Sequence, residues 1–429
     1  MKYLPIGAEL FKLNRANLIK QLKPNSIAIL NANDIMPTNA DGIMPFRQNN
    51  DLFYLSGIDQ EETILVLIPD FPEEKFREML FIKETSELIA IWEGHKLTKE
   101  EATEISGLKS VFWTWEFEKM LPSLMASVQH IYLNTNEHTR AEINVETRDA
   151  RFIKFCKAHY PLHHYNRLAP VMHDLRSVKS EREIAMLQKA CDITAKGFQR
   201  ILKFVKPGVM EYEIEAEYMH EFLRNRSRGF AYQPIIASGG NACVLHYLEN
   251  NKACMAGDVL LMDVGAEYAN YNADMTRAIP VNGRFTNRQK AVYNAVLKVK
   301  NEATKLLTPG NTLKDYNEEV GKIMESELIG LKLLDKTDVK NQDPGSPLFK
   351  KYFMHGTSHH LGLDVHDVSN MERPMQEGNV FTVEPGIYIP DENLGIRLED
   401  DVVITKEGVF NLMGQIPIEA DEIEEVMNS

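Results

Sequence analysis

A helix, a Pro-Gly stop, a second helix and a strand-rich stretch follow one another twice in the C-terminal part of this chain, about 100 residues apart. This repeat constrains the fold most, because two units of one layout can bury their apolar faces against each other. In the first copy Ser180 and Glu183 form a capping-box pattern. Ile184, Leu187, Cys191, Ala195, Phe198, Leu202 and Val205 follow at helical spacing, and Pro207-Gly208 ends the run. An acidic helix is expected over 211–224. In the second copy Val292, Leu297 and Leu306 mark a helix over 289–307, Pro309-Gly310 ends it, and another helix is expected over 313–324. Strand-rich stretches at 235–279 and 380–404 complete the two copies. The likeness is one of layout, not of identity.

The earlier part reads differently. Short apolar runs rich in β-branched residues, at 26–30, 63–68, 79–82 and 130–133, alternate with helix-compatible segments such as 97–106. That pattern gives an α/β domain over residues 1–170. The segment PLHHYNRLAP, bracketed by two prolines, breaks the periodicity and marks the boundary region. The expected chain is thus α/β (α+β): an N-terminal α/β domain, then a duplicated domain over 171–429.

Each half of the duplicated domain carries two acids in apolar surroundings. VLLMDVGAEY sets Asp263 in one strand and YNADMTRAIP sets Asp274 in the next, with 265–272 supplying a hairpin turn. VFTVEPGIYI and GIRLEDDVVIT do the same for Glu384 and Glu399. A carboxylate buried in such a run is costly without a cation or strong partners. Four that converge would repel one another unless a metal cluster neutralised them. MHGTSHHLGLDVHD adds His355, His359, His360 and His366 within twelve residues. One neutral imidazole among oxygen donors is a reasonable ligand, and the others can donate to a substrate. Four carboxylates against two divalent ions balance, and two ions lower the pKa of a shared water. The reading is hydrolysis of a polarised carbonyl. Oxygen-rich ligation favours Mn²⁺ over a thiolate-type zinc site.

Composition excludes other classes. Lys+Arg is 48 against Asp+Glu 62, a formal charge of −14, which makes nucleic acid and anionic membrane poor partners. The four cysteines form no CxxC pair; they read as reduced thiols of a cytoplasmic protein. No signal peptide and no transmembrane run are expected.

At these residues the sequence resembles the M24 metallopeptidases, the pita-bread family. The order Asp263, Asp274, His359, Glu384, Glu399 matches that family's five dinuclear-metal ligands. By resemblance Asp274 and Glu399 bridge two divalent ions, Asp263 completes one, and His359 with Glu384 the other. The motifs DMTR, HGTSHHLGLDVHD, VEPGIY and GIRLEDD carry the match. It extends over nearly the whole chain and is closest to the aminopeptidase P group, whose N-terminal domain PFRQNNDLFYLSG and IWEG resemble. The resemblance implies that His246 in NACVLHYLEN lies beside the substrate, that His366 donates to the scissile carbonyl or its oxyanion, and that His355 is a further active-site imidazole. Glu384 also relays the proton. Tyr388 and Arg397 lie around the metals, Asp41 pairs with Arg397, and Trp92 is offered to a neighbouring subunit's pocket, which implies a homodimer or homotetramer. One departure is His360, where bacterial relatives often carry Trp.

The implied substrate is a peptide with proline second, cut before the proline. The alternative is an Xaa-Pro dipeptidase (prolidase). A dipeptidase must recognise the carboxylate directly after proline, which the resemblance to prolidases assigns to an Arg on a long insertion between the histidine cluster and the first glutamate ligand. Here only 17 residues separate His366 from Glu384, with Arg373 the single arginine among them. A methionine aminopeptidase would need only the C-terminal half, a creatinase-like hydrolase would lack the ligands, and a non-enzymatic relative would have lost some of them.

Overall fold

The computed structural model describes residues 2–370 and 372–429, which divide into two compact units, Tyr3–Arg176 and Ser177–Ser429. The first unit is built on a six-stranded sheet of β1 (Ser26–Asn31), β2 (Ile64–Leu67), β3 (Glu78–Ile82), β4 (Ser110–Trp113), β5 (His130–Leu133) and β6 (His164–Arg167). Their order is β4-β3-β2-β1-β5-β6, with β1, β2 and β3 antiparallel and the outer pairs parallel. The central runs SIAILN and ILVL are buried throughout. Ile27, Ile29, Val66, Met79, Phe81 and Ile131 form one core with Phe117, Leu121 and Leu124 of the helix Thr114–Ala126.

The two strands absent from the sequence reading are the sheet's edges. In β4 only Val111 is buried, and in β6, HYNR, no residue is. Edge strands held by backbone pairing need little apolar patterning, so they leave a weak signal. The boundary segment is therefore not a linker. It contributes β6, and Pro170 then sits in the first turn of the helix Ala169–Ser177, where a missing N–H is harmless.

The second unit repeats its layout. Helices α1 (Glu181–Phe204) and α2 (Glu211–Arg224) precede an antiparallel sheet of β7 (Ile235–Ser238), β8 (Val259–Asp263) and β11 (Thr276–Pro280), with β8 central. Between β8 and β11 lies a small hairpin of β9 (Glu267–Tyr268) and β10 (Tyr271–Asn272). Helices α3 (Asn287–Leu306) and α4 (Leu313–Gly330) precede the second set. Here β12 (Val380–Val383), β15 (Asp400–Thr405) and β16 (Gly408–Asn411) form one sheet, and β13 (Gly386–Ile389) pairs with β14 (Leu394–Arg397). The capping box expected at Ser180 is present: the Glu183 carboxylate accepts from both the Ser180 N–H and its hydroxyl. The halves are joined at the centre, where the Glu399 N–H donates to the Thr276 carbonyl at 3.0 Å. No helix among the described residues is long and apolar enough to cross a membrane.

Candidate metal centre

The four acids sit at strand ends, not within strands as their apolar context led one to expect. Asp263 is the last residue of β8, Asp274 precedes β11, Glu384 follows β12, and Glu399 lies in the break between β14 and β15. A mid-strand side chain is committed to one face of its sheet, whereas a break lets the backbone turn carboxylates from several strands toward one point. The approach is close. A Cβ on Gly265 would lie 1.8 Å from the Ala273 carbonyl oxygen, so only glycine lets the chain after Asp263 pass the chain before Asp274.

Asp274, His359 and Glu399 each offer a ligand atom within 4.8 Å of the other two, and all three are buried. Glu384 joins through His359, its Oε1 lying 3.6 Å from Nε2; Asp274 Oδ2 lies 3.5 Å from the same nitrogen. Asp263 joins through Tyr232, whose hydroxyl contacts Asp263 Oδ1 at 2.6 Å and Asp274 Oδ1 at 2.5 Å. The His359 Nδ1–H donates to the His360 carbonyl at 2.9 Å, which leaves Nε2 as the free lone pair.

The charges are frustrated. Burial raises the Glu399 carboxyl far above the usual carboxylate range, and the neighbouring Asp274, Glu384 and Asp263 charges add to it. Burial likewise pushes Glu384 up to about 7, against the pull of His359 and Arg397. Asp263 is raised by burial, with Arg397 opposing. Burial disfavours the His359 cation, yet Asp274 and Glu384 outweigh it and the imidazole pKa rises. Among the described residues, four carboxylates faced by a single fixed cation, Arg397, form a donor set that divalent cations would neutralise. The hard oxygens and one imidazole fit such ions.

Arg397 engages all three guanidinium nitrogens within this unit: Nη2 to Asp263 Oδ2 at 2.6 Å, Nη1 to the Tyr388 hydroxyl at 2.8 Å and Nε to Thr276 Oγ1 at 3.0 Å. Its carboxylate partner here is thus Asp263. The Tyr388 hydroxyl lies 2.8 Å from His355 Nε2, and His355 Nδ1 lies 2.8 Å from the Gly356 carbonyl. Burial, then the Arg397 charge, drives the His355 pKa down to about 4, with His246 a further nearby contributor. His355 Nδ1 also lies 3.7 Å from Glu384 Oε2. His366 is exposed, its ring edge-on to His359 at 4.3 Å between centroids. His246 is exposed in a turn after β7. His360, the departure noted above, turns inward onto Phe381 at 4.3 Å, and burial pushes its pKa down to about 3.

In the first unit, Asp41 is exposed in a turn closed by the Thr38 N–H to the Gly42 carbonyl. Trp92 lies on the short helix Glu87–Glu93 and is 82% exposed. Sequence reasoning missed Tyr232 and Thr276. Thr276 Oγ1 donates to Glu399 Oε2 at 2.6 Å while accepting from Arg397. It stands inside DMTR and was legible as part of that motif, but Tyr232, in FAYQP, left no signal.

Comparison with known proteins adds the following. The model of metallopeptidase family M24 matches residues 185–406, and that of the aminopeptidase P N-terminal domain matches 11–132. The chain is 35% identical to the Xaa-Pro aminopeptidase of Escherichia coli over 439 residues, 98% of each chain. It is 34% identical to that of Haemophilus influenzae, over 89% of each. Among solved structures, a putative aminopeptidase P from Bacillus anthracis superposes with a TM-score of 0.92 at 35% identity, covering 98% of both chains. A variant of Escherichia coli aminopeptidase P in complex with substrate superposes at 0.87, with 35% identity and 99% of both chains covered.

Proposed function

The chain belongs to metallopeptidase family M24, and we propose that it is an Xaa-Pro aminopeptidase whose reaction centre is the acid and histidine cluster of its second unit. The observation that carries this reading is the convergence of Asp274, His359 and Glu399 to within 4.8 Å in a chain that matches Xaa-Pro aminopeptidases end to end. Asp263, Asp274, His359, Glu384 and Glu399 would hold two divalent ions, Mn²⁺ on the chemistry of the donors. When bound, the ions supply Lewis-acid polarisation of the scissile carbonyl and an acidified water.

The protein's own groups do the rest. Asp274 and Glu399 would be the ligands common to both ions. Glu384, beside His359 and His355, accepts the water's proton and returns it to the departing proline nitrogen. His366, exposed beside His359, donates to the carbonyl oxygen as negative charge develops there. His246 lies on the substrate side. Arg397, Tyr388 and His355 form a hydrogen-bonded row that holds Asp263 in place. The amide before proline has no N–H, so recognition rests on ring shape and not on a donor contact. A trans bond is the form such a pocket would accept.

Asp41 and Trp92 are the substrate-side residues of the first unit in this reading. Leu88, Ile91 and Trp92 leave an apolar face of their helix exposed, by 66, 78 and 82% respectively, which supports a homo-oligomer that covers it. The dipeptidase alternative lacks its anchor: Arg373 is exposed in a turn of the short segment between His366 and Glu384. The test is kcat/KM on Ala-Pro-Ala against Ala-Pro. The tripeptide should be cleaved at least as well, releasing alanine. A strong preference for Ala-Pro that Arg373→Ala reverses would favour the dipeptidase.

A further inference from the structure

His366 is held edge-on to His359, at 4.3 Å between ring centroids, by the loop that follows that ligand residue. The loop runs from His359 to Asp367 and closes on itself, the Asp367 N–H donating to the His360 carbonyl at 2.8 Å. Asp367 Oδ2 then meets Lys179 Nζ at 2.9 Å, with both side chains only 1% exposed. Lys179 lies next to Ser180, the N-cap of α1, and its own N–H is fixed to the Gly378 carbonyl at 2.8 Å. Gly362 makes room for the pair: a Cβ there would lie 2.1 Å from Asp367 Oδ2 and 3.0 Å from Lys179 Cε. On the opposite side Asn272 donates its side-chain amide to the Gly362 and Leu363 carbonyls at 3.1 and 2.9 Å.

A fully buried ion pair is an expensive way to stabilise a fold, since apolar residues of similar volume often do as well. What it provides here is a fixed direction. Asp367 is the residue next to His366, so anchoring its carboxylate to Lys179 sets where the loop presents the preceding imidazole. We infer that Lys179 and Asp367 are positioning residues for the peptidase reaction, acting through His366 by fixing the loop that carries it. The inference rests on the reading of His366 as the donor to the scissile carbonyl. It predicts that loosening the pair leaves the ions and the substrate's ground-state binding alone and slows the chemical step, because a displacement of about 1 Å of a positioned group can lower rates about 100-fold.

The experiment is a double-mutant cycle on the Mn²⁺-loaded full-length enzyme with Ala-Pro-Ala. One arm is the paired variant Lys179→Met with Asp367→Asn, which removes both charges and leaves neither buried alone. The other arm is His366→Ala. The paired variant should lower kcat by about 10–100-fold with KM and metal content unchanged. In the His366→Ala background the same change should lower kcat less than about twofold. If the paired variant fails to fold, Gly362→Ala takes its place, since its methyl group displaces the pair while keeping both charges. An equal loss in both backgrounds, a loss of metal, or an unchanged kcat overturns the inference while the role of His366 stands. A His366→Ala enzyme of normal kcat overturns the role of His366 and the inference with it.

Discussion

Tyr232→Phe tests how far the metal centre depends on a residue outside the ligand set. The phenol contacts Asp263 Oδ1 at 2.6 Å and Asp274 Oδ1 at 2.5 Å, so its one proton is shared between carboxylates from the two strands of the first half. Burial and the charges of Asp263 and Asp274 keep that proton on the oxygen at any working pH. Phenylalanine fills the same volume and removes only the donor. A hydrogen bond to a charged group is worth about 1.5–3 kcal/mol. At ~1.4 kcal/mol per decade that is roughly 10–150-fold in affinity, in line with the usual 10–100-fold for groups that orient metal ligands. Metal-stripped protein titrated with Mn²⁺ in calorimetric competition with a chelator should therefore bind one ion about 10–100-fold more weakly. Saturating Mn²⁺ should restore much of kcat. Unchanged affinity would show that Asp263 and Asp274 are held by Arg397 and the backbone alone, and would refute the reasoning.

Other consequences are open to measurement. Asp274→Asn or Glu399→Gln removes a charge that both ions would share; each should abolish activity and at least one bound ion in elemental analysis, with the circular dichroism spectrum intact. Two retained ions and near-normal turnover would reject those two as bridges. In the first unit, burial raises the Asp149 carboxyl from 3.8 to about 7. The folded form keeps its proton where the unfolded chain has lost it, so this contribution to stability is complete below the unfolded pKa and is lost as pH rises through the folded one. Stability of the first unit to urea should fall between about pH 4 and pH 7, by up to ~1.4 kcal/mol per pH unit, and Asp149→Asn should flatten that slope. An equally steep slope in the variant would place the titration elsewhere.

The duplication and the ligand acids were legible because burial demands a pattern that sequence shows directly: helical spacing in 184–205, and acids stranded in apolar runs at Asp263 and Glu384. What the pattern could not show was where the strands stop. Asp274 and Glu399 fall in breaks whose flanks are as apolar as the strands themselves, so the period alone does not register them. The edge strands Ser110–Trp113 and His164–Arg167 were invisible for the opposite reason, being held by backbone bonds and little burial. Tyr232 was invisible because a lone tyrosine carries no spacing; only the fold brings its hydroxyl to two acids from different strands.

The central claim is that the five ligand residues hold two ions and that the bond before proline is cut only when they are present. The direct measurement is alanine release from Ala-Pro-Ala by metal-stripped protein, followed as Mn²⁺ is added back and bound metal is counted. The account predicts negligible release without metal, a rise that saturates as two ions bind per chain, and no cut after the proline. Full turnover by the stripped protein, saturation with no ion bound, or release of Ala-Pro as the first product would contradict it.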